Sequence, residues 1–192
     1  MIHAMKRIAQ FTQDIRRCLG QLSSDEQGVS AVEFALLLPL MLTLYLGSVE
    51  ISQAISADRK VTMTSRTVAD LVSQVTSITS SGMTDVLNAS SSVMSPFTTT
   101  TLKVTVSSVS VDANSKATVD WSCTLNGTVH SKGSTVTLPT ALNIANTTLI
   151  WSEVSYIYTP AIGYVLTGSL TLKDQLYMAP RISNTVSGPS SC

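Results

Sequence analysis

The stretch from Gly28 to Glu50 reads GVSAVEFALLLPLMLTLYLGSVE, and its meaning decides how the rest of the chain is organised. From Phe34 to Val49 it carries no charged side chain. A helix from Val29 to Ile51 would extend about 34 Å, against about 30 Å of bilayer hydrocarbon, so the run is long enough to span once. Lys6, Arg7, Arg16 and Arg17 all precede it, whereas the far flank opens with Glu50 and meets Arg59 and Lys60 only after Asp58. Positive charge favours the cytoplasmic side, which places the preceding residues inside and those beyond about residue 52 outside. Pro39 would break a soluble helix but is tolerated in a membrane one, with a kink expected. The alternative, a buried core helix, needs a partner surface apolar enough to cover it all round, and no other segment supplies one.

Outward from this run, composition narrows the possibilities. The 192 residues include 12 basic and 12 acidic ones, with 44% apolar and 12% charged residues. Zero net charge argues against a nucleic-acid partner, and an apolar, weakly charged chain is the reverse of a disordered one. A surface rich in Ser and Thr from Thr62 onward suits an exported or filament-forming protein better than a cytosolic enzyme. Ile51, Ile55, Val68, Leu71, Val72, Val75 and Ile78 recur mostly at three- and four-residue spacing, so the helix is predicted to continue outward as an amphipathic one and to stop by Gly82. A short helix is expected from Thr84 to Val93, ended by Pro96. Beyond Pro96, alternation and β-branching predict strands at Leu102–Val111, Ala117–Leu125, Thr147–Tyr158 and Val165–Leu172, with turns at Asp112–Ser115 and Asn126-Gly127. Trp121 and Trp151 are expected on the face that packs against the helix. The expected fold class is α+β: a long N-terminal transmembrane helix continuing into an amphipathic one, then a pilin-like antiparallel sheet of about four strands.

Glu33 is the costly residue of the opening stretch, because an acid at mid-bilayer costs roughly 2.5 to 3.5 kcal/mol and less near the edge. An interfacial acid favoured by the helix dipole is one explanation. Gly28, four small or apolar residues, then Glu33-Phe34 and an apolar helix resemble the processing site of class IV prepilins, especially the tight-adherence (Tad) branch. The whole stretch Gly28 to Glu50, with its internal proline and second glutamate, resembles the TadE-like pseudopilin family. DRKVTMTSRTVADLVSQ (58–74), VSYIYTP (154–160) and YMAPR (177–181) also resemble TadE and TadG-type proteins. Residues 80–146 carry no such resemblance.

The resemblance implies a non-enzymatic minor pilin or pseudopilin. It implies cleavage by a prepilin peptidase between Gly28 and Val29, where glycine leaves the backbone unobstructed. Its implied partners are that peptidase, other pilins and pseudopilins, inner-membrane pilus assembly proteins and the bacterial inner membrane, with the C-terminal part periplasmic. Cleavage would create a Val29 α-amine, mostly protonated at neutral pH, able to pair with Glu33 in its own chain or a neighbour, while the apolar face from Phe34 packs on other pilin helices. The expected division is a leader (1–28), a transmembrane helix (29–51), a helical stalk (52–95) and a β-rich domain (96–192). Two other readings stay open: an uncleaved signal-anchored periplasmic binding or scaffold protein, and a secreted protein cut after Ser52-Gln53-Ala54.

Cys18 falls in the leader, whereas Cys123 and Cys192 both fall outside, where disulfides form. They are expected to bridge, closing a loop of about 70 residues for about 4 kcal/mol; free thiols in a reducing compartment are the alternative. Gly163–Ser169 has phosphate-loop glycine spacing but lacks the lysine. His3 and His130 read as solvated surface residues on opposite sides of the membrane. No pattern of carboxylates, histidines or thiols points to a catalytic residue, a metal or a cofactor.

Overall fold

The computed structural model describes residues 26–163 and 167–192. The order is helix α1 (Glu26–Ser73), helix α2 (Ser80–Val93), then strands β1 (Lys103–Val111), β2 (Ala117–Leu125), β3 (Thr148–Tyr158) and β4 (Leu170–Met178). The fold is α+β, with one four-stranded antiparallel sheet in the order β2-β1-β3-β4. The chain divides into two units between Ser48 and Val49.

In the first unit α1 is apolar and uncovered. Val29, Val32, Phe34, Leu36, Leu40 and Leu44 are all more than half exposed, and an 18-residue apolar window here has none of its residues buried. In the second unit α1 is amphipathic. Ala54, Ala57, Val61, Val68 and Val72 are buried at the three-, four- and seven-residue spacing of one helix face, while Asp58, Arg59 and Arg66 lie exposed.

The helix ends at Ser73, five residues before Ile78, the predicted limit. Ser73 O accepts from Arg181 N (2.9 Å), and the chain then runs beside Ser187, with Ile78 N donating to Ser187 O and Ser187 N to Thr76 O, each at 3.0 Å. Backbone pairing with a distant segment thus takes over from the helical ladder in a β-branched stretch of weak helix propensity. Helix α2 begins at Ser80, four residues before the predicted start, because Thr79 caps it: its Oγ1 accepts from Gly82 N at 3.1 Å. Gly82 therefore sits in a first turn and does not act as a stop.

One face of the sheet packs on α1 and α2 through Val104, Val106, Ile150, Val154 and Leu172 against Val61, Val68, Met83 and Leu87. The opposite face holds a second core of Val109, Val119, Leu138, Leu149 and Trp151. Along β2 the change of face is made by a bulge. Ser108 pairs with Trp121 but Val109 with Val119, so Asp120 is the extra residue, and its carboxylate accepts from Ser108 Oγ (3.3 Å) and Ser110 Oγ (2.7 Å). A bulge re-aims side chains in this way. Trp121 consequently packs toward the helices, with Nε1 donating to Val186 O at 2.8 Å, whereas Trp151 lies on the other face, contrary to expectation.

The turn at Asp112–Ser115 joins β1 to β2. Asp112 Oδ1 accepts from Asn114 N and Lys116 N at 2.8 Å, and Ser115 takes a φ of 58°. Asn126-Gly127 instead opens a long connection whose residues 133–136 pair along the edge of β2. Strand β4 is displaced from the predicted Val165–Leu172. Its register sets Leu170 opposite Tyr158 and Met178 opposite Ile150, and the charged pair Lys173-Asp174 hid a strand that, at the sheet edge, tolerates such charges.

Candidate functional site

Gly28, Val29, Glu33 and Phe34 lie in the first turns of α1, all exposed. Val29 and Glu33 are one turn apart on one helix face, about 6 Å along the axis. A Cβ built on Gly28 meets nothing within 4 Å. Glycine inside a helix costs about 1 kcal/mol relative to alanine, and here neither a packing contact nor a backbone conformation requires it.

In the second unit, Cys123 and Cys192 are joined by a disulfide with their Cα atoms 5.3 Å apart. The segment leading to Cys192 is also held by Trp121 through Val186 O and by Ser80 Oγ, which donates to Ser191 O at 2.7 Å. Gly188 lies so close to the Trp121 ring that a Cβ would collide with it. Glu50, only 2% exposed, lies near Tyr158; burial, then the Glu50 charge, then Tyr156 push the Tyr158 phenol above its ordinary pKa. The Tyr158 hydroxyl donates to Gln53 Oε1 at 3.5 Å.

The outer face of the sheet brings together residues that the sequence reading left apart. His130 is no solvated surface histidine: its ring stacks on Trp151 (centroids 4.6 Å, 22°) and its Nε2 is 2.5 Å from Glu153 Oε2. Trp151 stacks in turn on Tyr177 (5.7 Å, 12°). Burial, and then the Glu153 charge, raise the Tyr177 phenol above its ordinary pKa. The His130 backbone N donates to Ser122 Oγ at 3.1 Å, and Ser107 Oγ donates to Ser122 Oγ at 2.9 Å. The signal available in the sequence was the alternation Trp151, Glu153, Ser155, which puts all three on one face; their partners needed the register. Among the described residues, no group of three or more His, Cys, Asp or Glu could hold a metal ion. His3, Cys18 and the leader basic residues lie outside the described residues, as does part of the Gly163–Ser169 loop.

An uncovered apolar helix, continuing as an amphipathic helix that belongs to an α+β unit, fits the class of single-pass membrane proteins. A family model described as TadE-like protein matches residues 28–70, the stretch holding Gly28, Glu33, Phe34 and most of α1, so the TadE-like resemblance is borne out over that stretch. The curated proteins give no match, and neither do the solved structures.

Proposed function

We propose that the chain is a non-enzymatic minor pilin or pseudopilin of a tight-adherence pilus, cut by a prepilin peptidase between Gly28 and Val29. Residues 1–28 are then a cytoplasmic leader, 29–51 an inner-membrane span, 52–95 a periplasmic stalk and 96–192 a periplasmic β-rich domain. The observation that carries the proposal is a glycine that the fold does not require, at the head of an uncovered apolar helix, inside the TadE-like match. The mechanism is packing. The face from Phe34 onward exchanges lipid for other pilin helices, and the Val29 amine freed by cleavage pairs with Glu33 in its own chain or a neighbour. Such a pair would offset part of the cost of placing the carboxylate in low dielectric and fix axial register, a role better attested for buried ion pairs than stabilisation. An oxidising periplasm suits the Cys123–Cys192 disulfide.

The test is co-purification with the other pilus components at matched expression. Glu33→Gln keeps the shape, removes the charge and is expected to lower recovery several-fold while leaving membrane insertion intact; Glu33→Asp is expected to be intermediate. Equal recovery of Glu33→Gln and wild type would contradict the pairing mechanism. One observation favours the uncleaved signal anchor as a second reading: Gly28 lies within α1, which starts at Glu26, and a peptidase must unwind that turn before it can cut. Glycine, the residue that most weakens a helix interior apart from proline, lowers that cost.

A further inference from the structure

Three rows of side chains cross the outer face of the sheet in register: Ser107, Trp151 and Tyr177; Thr105, Glu153 and Gln175; Lys103, Ser155 and Lys173. Packing in a pilus makes no use of this chemistry. Two cavities lie along the rows. One, of about 510 Å³, is bordered by Trp151, Tyr177 and hydroxyl residues of the 134–137 segment. The other, of about 650 Å³, is bordered by the second and third rows, together with Gly127, Thr128 and Asp174. His130 and Gln175 border both, so the two adjoin. Their volumes are those of small-molecule sites, in which an apolar wall and a few placed polar groups fix the ligand.

We propose that this face binds an acidic oligosaccharide laid along β3, with a sugar ring against the aromatic wall at Tyr177 and a carboxylate between Lys103 and Lys173. Successive residues of a strand are about 3.4 Å apart, so the first and third rows are separated by about 14 Å, the length of a short oligosaccharide and more than a single ring. Lys103 and Lys173 lie two strands apart, about 10 Å between backbones, and both are exposed. Two flexible lysine stems can bring their ammonium groups to one carboxylate above Ser155. The middle row offers what sugar hydroxyls need, an acceptor in Glu153, held in place by His130, and an amide in Gln175 that both donates and accepts.

The same inventory excludes other ligands. An acyl chain would meet hydroxyl, amide and charged groups in the larger cavity. A polyphosphate would meet the Glu153 carboxylate in the row next to the two lysines. A small anion would use the third row alone and leave the rings idle. A saccharide has one C–H face for an aromatic ring and an edge of hydroxyls for a polar row, and the cleft presents both side by side.

The test is calorimetric titration of the full chain in a sugar-free detergent, with 3′-sialyllactose (a trisaccharide with one carboxylate), lactose and sodium acetate as probes. Wild type is expected to bind sialyllactose saturably and about tenfold more tightly than lactose, with acetate a poor competitor. Lys103→Gln with Lys173→Gln is expected to abolish the tenfold preference for sialyllactose over lactose. Tyr177→Ala is expected to weaken both sugars at least fivefold, and Tyr177→Phe to preserve them. Absence of saturable binding to either sugar, an undiminished preference in the double lysine variant, or acetate competing as well as the sugar would overturn the proposal. Should Tyr177→Ala fail to fold, the lysine variant, at exposed positions, decides the matter.

Discussion

The two halves of α1 share one backbone geometry and differ in what their side chains can meet. From Phe34 to Leu42 the helix is apolar on every side and exposed throughout; from Val49 to Ser73 it buries one face that includes Ala54, Ala57, Val61, Val68 and Val72 and exposes Asp58, Arg59 and Arg66. Periodicity separates the two. A helix apolar all round needs an apolar solvent or apolar neighbours, whereas one with a single apolar stripe is solved by one sheet face and water. The same residue therefore has different work to do in each half, and substitutions can be chosen to expose this.

The largest effect is expected from Val61→Asp. Val61 is fully buried, and an unpaired carboxylate there should destabilise the second unit by about 4 kcal/mol or more, measured as loss of its cooperative thermal transition. Val32→Asp, at a position 62% exposed, should leave that transition in place. Cys192→Ser comes next: it releases a disulfide spanning a sequence separation of 69 and should lower the stability of the second unit by about 3 to 4 kcal/mol, read from denaturant midpoints with and without reductant.

Leu40→Arg should cost about 2.5 to 3.5 kcal/mol of membrane insertion without shifting the thermal midpoint of the second unit. A shift of that midpoint instead would mean that the first half of α1 is a structural part of the fold. The smallest effect concerns alkaline pH. Tyr158 and Tyr177 both have pKa values raised above the ordinary 10.0, chiefly by burial. A phenol whose folded pKa is raised contributes stability below its unfolded pKa and loses it as pH climbs through the folded value. Stability should therefore decline above about pH 10, and Tyr177→Phe should make that decline shallower in a pH series of thermal midpoints.

Legibility followed the same division. The membrane run, the amphipathic helix and three of the four strands could be read because each repeats a hydrophobic period over many residues. The end of α1 could not, since it is set by Arg181 and Ser187, more than 100 residues away. Nor could β4, whose Lys173-Asp174 pair contradicts a buried strand yet suits an edge. The position of Trp151 could not be read either, because its face follows from the β1–β3 register, in which it pairs with Ser107 on the face opposite Val106 and Val154; the Asp120 bulge re-aims only Trp121. At the candidate site, Gly28, Glu33 and Phe34 were found as a local motif. The cluster of His130, Glu153 and Trp151 was not, because it depends on strand register and on a long connection folding back to Ser122.

The proposed role of Gly28 is to be cut after. The most direct measurement is N-terminal sequencing of the mature protein purified from a host with its own prepilin peptidase, for wild type and Gly28→Ala. The wild-type protein is expected to begin at Val29. Since a Cβ at Gly28 meets open space, Gly28→Ala should fold and insert normally while cleavage slows. A mature protein beginning at Met1 would establish an uncleaved anchor, and one beginning at Ile55 a secreted protein; either result would contradict the account.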